Sequence, residues 1–251
     1  MSDPRPRDQL RPVTVQRGFT KTAAGSVLWR QGGTVVLCTA AVEVKRPRFF
    51  SDDRAGGWVT AEYVMHPASV KGRKDWPGLK ADKRGIEIGR LIGRSLRAAV
   101  DETKLGPHTI TVDCTVLEAD GGTRTASICG GMIALRDALA SLPAEMPGAR
   151  DEADVAPAYD QKLYQPSNAV IADIAAVSVG ICDGQPTLDL NYILDSSAET
   201  DLNVVKTSAG NYVEIQGTAE SGTGFTPEQL TQMLNLADSG LAKLFAVQRD
   251  G

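Results

Sequence analysis

The chain has 251 residues, a formal net charge of −4 and 42% hydrophobic residues, enough apolar content for a packed core and against a disordered or fibrous chain. No run approaches the roughly 18 to 20 apolar residues of a membrane span, and the charged, proline-bearing start Met1 to Asp8 lacks the apolar stretch of a secretory signal, so no membrane partner is expected. The mild acidity argues on its face against a nucleic-acid partner, because neutralising phosphates takes lysine and arginine, but net charge hides its distribution.

Residues 1–10 read as a short exposed arm. The first third then reads as antiparallel sheet, with strands over Val13 to Val15, Ser26 to Trp29 and Thr34 to Val42, the last two joined by the hairpin signal Arg30-Gln-Gly-Gly33. Arg46 to Gly57 is polar and glycine-bearing, hence a loop, and Trp58 to Met65 resumes strand composition. Pro67 to Lys83 shows no clean period and reads as a long, mobile, basic loop, of the kind that in compact domains is usually functional or disordered.

Glu87 to Val100 carries Ile88, Leu91, Ile92, Leu96 and Ala99 on one helical stripe, with Arg90, Arg94 and Arg97 on the other side. Gly89 and Gly93 leave a smooth strip where another segment can pack closely. Lys71, Arg73, Lys74, Lys80, Lys83 and Arg84 precede this helix, so one segment concentrates positive charge. Such a run is either a solvated helix face or a local basic surface on an acidic protein.

Ile110, Val112, Cys114 and Val116 alternate with polar neighbours as in a strand with one buried face, and Ile128, Met132, Ile133, Leu135 and Leu139 fit a helix. Between them lies Asp120-Gly-Gly-Thr-Arg-Thr-Ala-Ser127. Unpaired N–H groups at a helix start favour an anion, the glycines permit close approach, Thr123 and Ser127 offer hydroxyls, and Arg124 offers a fork matched to phosphate. The same residues also suit a turn and cap, with Thr123 or Thr125 capping the helix. A Walker-type loop and a dinucleotide-binding Gly-x-Gly-x-x-Gly are both absent from the sequence, which argues against an NTPase or a dinucleotide-dependent dehydrogenase.

Pro143 to Pro166 reads as a crossover. Strands follow at Val170 to Gly180, Thr187 to Tyr192, Asn203 to Thr207 and Asn211 to Gly217, and Thr226-Pro-Glu-Gln opens a last helix with a capping box. This order implies one α+β domain over 1–251, with mixed sheets packed on helices and built from two related halves. Cys38, Cys114, Cys129 and Cys182 are widely spaced in apolar contexts, as reduced core residues of a cytoplasmic protein would be, and His66 and His108 fit no hydrolase elbow. Asp189, set opposite its leucine neighbours on a strand, and Asp195 at that strand's end form either a solvated turn or a pair of oxygen ligands for Mg²⁺ or Mn²⁺.

Taken in order, Asp8-Gln-Leu-Arg-Pro-Val13, Gly57-Trp-Val-Thr-Ala-Glu-Tyr63, Glu87-Ile-Gly-Arg-Leu-Ile-Gly-Arg-Ser-Leu-Arg97, Ala119 to Ser127, Asp195-Ser-Ser-Ala-Glu-Thr-Asp201 and Glu214-Ile-Gln-Gly-Thr218 resemble the ribonuclease PH family over nearly the whole chain. The resemblance implies two βαβα-type halves and a homo-oligomeric hexamer built as a trimer of dimers. It further implies phosphorolytic removal of nucleotides from RNA 3′ ends, tRNA precursors among them, with inorganic phosphate as co-substrate. Carried over by position, it puts the phosphate contacts on Arg84, Gly122, Thr123, Arg124 and Ser127, and the catalytic or metal positions on Asp189 and Asp195. RNA binding falls on Lys71, Arg73, Lys74 and Trp76 of the basic loop and on Arg90 and Arg94. Ala68 and Trp76 stand where the family pattern has arginines, and Leu194 stands where it has an acid. That departure motivates an alternative, a catalytically weak RNA-binding or scaffold subunit of an exosome-like ring.

Overall fold

The computed structural model describes residues 5–45, 47–51, 54–73, 75, 82–146, 161–220 and 224–251. Two sheets hold the helices between and beside them. The first contains β1 (Val13–Arg17), β2 (Gly25–Gln31), β3 (Thr34–Val44), β4 (Trp58–Met65) and β5 (His108–Glu118), in the spatial order β1-β2-β3-β5-β4. All neighbours are antiparallel except β4, which runs parallel to β5 and reaches it through a helical crossover, α1 (Lys83–Arg97).

The second sheet contains β6 (Ile174–Cys182), β7 (Gln185–Leu188), β8 (Thr200–Thr207) and β9 (Tyr212–Ala219), antiparallel throughout in the order β7-β6-β8-β9. Between the sheets runs α2 (Thr123–Ser141), which packs on β2, β3 and β5 on one side and on β6 on the other. A helix between two layers has no solvent face, and Thr125 to Leu135 are buried without a break. A short helix, α3 (Tyr192–Ser197), follows β7, and α4 (Pro227–Asp250) closes the chain against β6 and β7. One continuous apolar core, including Trp29, Ile92, Ile110, Ile133 and Val177, joins both sheets. Each such side chain contributes roughly 1.5–3 kcal/mol by leaving water.

The expected strands appear, although the one read from Val170 begins at Ile174 and the one read from Asn203 begins at Thr200, and the Thr226 capping box forms with Gln229 and with Pro227 in the first turn. Two boundaries near the cleft differ for physical reasons. Helix α1 starts a turn earlier than the apolar stripe, because the Asp82 carboxylate accepts from the Gly85 N–H at 2.9 Å and the first turn is solvent-facing, where no apolar period would announce it. The strand expected over Thr187 to Tyr192 stops at Leu188, because Asp189 takes a left-handed φ of +54° and the chain turns into α3. Asp195 therefore sits on a helix and not at a strand end. The described part of the N-terminal arm is solvent-facing over Pro6 to Gln9 but is tied down, with Arg7 donating to the Cys182 carbonyl (2.6 Å) and its own carbonyl accepting from Leu188 N–H (2.7 Å).

Gly85, Gly89 and Gly93 face β4, where an added Cβ at Gly89 would lie 2.9 Å from the Ala61 carbonyl oxygen, so the smooth strip of α1 is what lets the helix lie on the strand. Among the described residues no helix is long and apolar enough to cross a membrane. All four cysteines are buried and unpaired. Burial raises the thiol pKa of Cys129 to about 12, which keeps it protonated.

Candidate active site

Strand β5 ends at Glu118, and α2 begins five residues later through two left-handed glycines, Gly121 (φ +74°) and Gly122 (φ +65°). Gly122 is the cap position and supplies no side-chain hydrogen bond to the helix start. Thr125 does not fill that role either, because its hydroxyl donates backwards to the Gly122 carbonyl (2.9 Å). The Thr123 hydroxyl is paired with the Tyr63 hydroxyl at 2.8 Å. The reading of these residues as a simple side-chain cap is thus set aside, and the first-turn N–H groups face an open cleft with the positive end of a 19-residue helix.

That cleft has a volume of about 570 Å³. Its cationic side is Arg84 from the first turn of α1 and Arg124 from the first turn of α2, next to Thr123 and Gly122. Arg124 Nη1 donates to Gln216 Oε1 on β9 at 3.2 Å, which aims the guanidinium across the gap between the sheets. Its acidic side is Asp195 on α3, Asp201 on β8 and Glu220 just past β9. The whole site therefore lies where the start of the inter-sheet helix meets the ends of the second sheet.

The acidic side is electrostatically unsettled. Desolvation by the cleft walls raises the Asp195 pKa, with the charges of Arg124 and Arg84 opposing and Glu220 adding to the rise. Asp201 is raised by burial first, then by the neighbouring charges of Asp195 and Glu220, with Arg124 opposing. The charge of Asp195 thus raises the proton affinity of Asp201, and Glu220 raises that of both. Tyr63, buried at the foot of the cleft, is likewise held above the usual phenol range by burial.

The expected site residues divide accordingly. Arg84, Gly122, Thr123, Arg124 and Asp195 meet in the cleft. Ser127 does not, since it is fully buried one turn further along and its hydroxyl donates to the Thr123 carbonyl at 2.8 Å. Asp189 does not either, being fully buried, with Oδ1 accepting from Arg11 Nη2 (2.7 Å) and Oδ2 from the Arg11 backbone N–H (2.8 Å). The carboxylate that lines the cleft with Asp195 is therefore Asp201 and not the expected Asp189.

Of the expected RNA contacts, Lys71 and Arg73 are exposed in the described part of the basic loop, and Lys74 and Trp76 lie outside the described residues. Arg94 reaches from α1 toward β9, 3.6 Å from the Glu214 carboxylate, and Arg90 lines a second groove of about 490 Å³ between α1 and β4, beside Trp58. Asp201, Glu220, Gln216, Tyr63 and Arg11 had carried no assigned role in the sequence. The available signal was the alternation in β8, where Asp201 and Asn203 share the face opposite buried Leu202 and Val204.

A divalent cation fits this donor set. Mg²⁺ is commonly held by one or two carboxylates together with substrate phosphates and waters, and Asp195 and Asp201 offer two desolvated carboxylates in the same cleft as Arg84 and Arg124. Among the described residues no cluster of three or more His, Cys, Asp or Glu side chains converges as a self-sufficient metal cage.

The sequence models of the 3′ exoribonuclease family, domain 1 and domain 2, match residues 9–140 and 174–240, which bracket the first sheet with α2 and the second sheet. The chain is 48% identical to ribonuclease PH of Corynebacterium glutamicum (strain R) over 98% of this chain and 94% of that protein. It is 47% identical to ribonuclease PH of Corynebacterium efficiens over 99% and 94%. The crystal structure of rice (Oryza sativa) Rrp46 shares the fold, with a TM-score of 0.71 over 98% of this chain and 97% of that one at 17% identity. The uncapped helix start, the paired arginines and these likenesses agree, and the chain belongs to the ribonuclease PH family of phosphorolytic 3′→5′ exoribonucleases.

Proposed function

We propose that this chain shortens RNA from its 3′ end, tRNA precursors foremost, by the attack of inorganic phosphate on the terminal phosphodiester. The observation that carries the reading is the facing of Arg84, Arg124 and the free helix start across one cleft from Asp195 and Asp201. A phosphate oxygen bonds to the terminal phosphorus, the bond from that phosphorus to the penultimate 3′ oxygen breaks, and a nucleoside diphosphate leaves. The shortened RNA keeps a 3′ hydroxyl, so its oxygen must gain a proton as it departs. The attacking hydrogen phosphate brings that proton and gives it up as the diphosphate forms, which leaves the Asp195 and Asp201 carboxylates ionised and available to a cation.

In this reading Arg84, Arg124, Thr123 and the Gly122–Thr123 backbone orient the attacking phosphate and offset its charge, which is most of what a phosphoryl-transfer site must supply. Asp195 and Asp201 would hold Mg²⁺ or Mn²⁺. When bound, that ion neutralises charge on the phosphate oxygens and the leaving oxygen. Lys71, Arg73 and Arg94 would hold the RNA backbone by charge. The working form is a homo-oligomeric ring, a hexamer assembled as a trimer of dimers, in the cytoplasm, a setting in keeping with the four buried free thiols.

The test incubates purified protein with a short 3′-extended tRNA, Mg²⁺ and phosphate, and measures nucleoside diphosphate against wild type and Arg84→Ala. Phosphate-dependent release by wild type, reduced roughly 10²- to 10³-fold in the variant, is the expected result. No diphosphate at high enzyme concentration would refute an active nuclease and favour a scaffold role. Light scattering on the same preparation reads the oligomer.

A further inference from the structure

Arg11 and Asp189 form an ion pair closed off from water, with Arg11 6% exposed and Asp189 0%. A buried pair is weak evidence for stability as such, because desolving both charges offsets their attraction. What this pair touches is more informative. Besides the two bonds to Asp189, Arg11 Nη1 donates to the Asp120 carbonyl (2.5 Å) and Nη2 to the Gly121 carbonyl (3.4 Å), so one guanidinium grips both the phosphate cradle and the turn that leads into the Asp195 helix.

The two gripped segments also meet directly. Asp120 Oδ1 accepts from the Tyr192 N–H, the first residue of α3, at 3.2 Å. Asp189 is held in its left-handed conformation, unusual for a residue with a side chain, by its N–H to the Ser178 carbonyl (2.7 Å) and by the Leu190 N–H to Ser178 Oγ (3.0 Å). From the other side Arg5 donates to the Asp189 carbonyl (2.9 Å) and lies 3.5 Å from Oδ2. The Arg11 stem runs across Gly32, where an added Cβ would sit 2.5 Å from Arg11 Cδ, so the guanidinium has little freedom to swing.

We infer that Arg11 is a positioning residue that, clamped by Asp189, sets the separation between the phosphate cradle and the helix bearing Asp195. Asp189 acts through Arg11 and not as a metal ligand. The inference rests on the phosphorolytic reading of the cleft. It explains why a carboxylate six residues before Asp195 is walled off from the solvent that a hydrated cation would bring.

The experiment is steady-state phosphorolysis by the full chain as wild type, Arg11→Lys and Asp189→Asn, with phosphate and RNA varied separately and each protein assayed well below its own melting temperature. Both variants should raise the KM for phosphate about tenfold or more while leaving the KM for RNA within about twofold, because misplacement is confined to the cradle. Variants that melt earlier yet keep the wild-type phosphate KM and kcat would mark an ordinary stabilising pair and overturn the inference. Mn²⁺ titration, read from the free-ion paramagnetic resonance signal, is the second arm. Asp189→Asn should bind within about twofold of wild type and Asp195→Asn about tenfold or more weaker, as expected for loss of a true ligand. Equal weakening in both would make Asp189 a ligand and overturn the inference. If Arg11→Lys and Asp189→Asn do not fold, Arg5→Gln, which removes the outer half of the clasp, should raise the phosphate KM by a smaller factor, and no change would overturn it. Wild type that releases no diphosphate defeats the phosphorolytic reading instead, and calorimetric binding of inorganic phosphate to the same variants then decides the positioning role by the same tenfold criterion.

Discussion

Replacing Gly121 by alanine separates the cost of a backbone conformation from the cost of a close approach. Gly121 has φ +74°, and Gly184, in the β6–β7 turn, has φ +69°. Each substitution therefore carries a left-handed penalty of about 1–2 kcal/mol. At Gly184 nothing lies within 4 Å of the added Cβ, so that penalty is the whole effect. At Gly121 the Cβ would lie 2.5 Å from the Leu190 carbonyl oxygen, 2.7 Å from the Asn191 carbonyl carbon and 2.9 Å from the Tyr192 nitrogen, all backbone atoms. Ordinary contact begins at 3.4 Å, so the cradle and the α3 turn must separate by roughly 0.9 Å, the difference between that contact and 2.5 Å.

A displacement of that size at a reacting centre costs on the order of 10²-fold in rate. Gly184→Ala should lower the melting temperature by roughly 2–8 °C, at about 2–4 °C per kcal/mol for a chain of this size, with phosphate-dependent activity unchanged. Gly121→Ala should lose about 10²-fold in kcat/KM for phosphate and melt lower still. Differential scanning calorimetry and the diphosphate assay read the two quantities separately. Equal activity in the two variants would refute the claim that the cradle and the Asp195 helix are held at contact distance.

Tyr63→Phe removes the bond to the Thr123 hydroxyl, worth about 0.5–1.5 kcal/mol net, and should raise the phosphate KM several-fold without loss of RNA binding in a filter assay. Asp201 has a native pKa raised by burial and by Asp195. Its contribution to stability is therefore fully present below the unfolded value of about 3.9 and is lost as pH rises through the raised native value. Asp201→Asn should accordingly melt higher than wild type at neutral pH, with the difference vanishing in acid, while losing activity; a lower neutral melting temperature would contradict the assigned repulsion. Ile133→Ala, in the middle of α2 and fully buried, should cost about 2–5 kcal/mol in urea unfolding while leaving the phosphate KM unchanged at temperatures where the protein is folded.

The sequence by itself determined what depends on neighbours along the chain. Alternation marked β5, a 3.6-residue stripe marked α1, and Thr226 with Gln229 marked the start of α4, because burial on one face and capping are written in local spacing. The glycine-rich start of α2 was legible for the same reason, and Arg124 followed from its place there, whereas Arg84 came only from the family resemblance, because the first turn of α1 has no apolar period. Tertiary structure decided which charges meet. Arg11 and Asp189 are 178 residues apart in sequence and 2.7 Å apart in space, a pairing no local period announces, and it took Asp189 out of the cleft. Ser127 was withdrawn by its own helix, whose carbonyl four residues back captured the hydroxyl. Asp201 entered because β8 aims alternate side chains at the space α3 borders, so the pairing of Asp195 with Asp201 was set by how the second sheet stacks on α2.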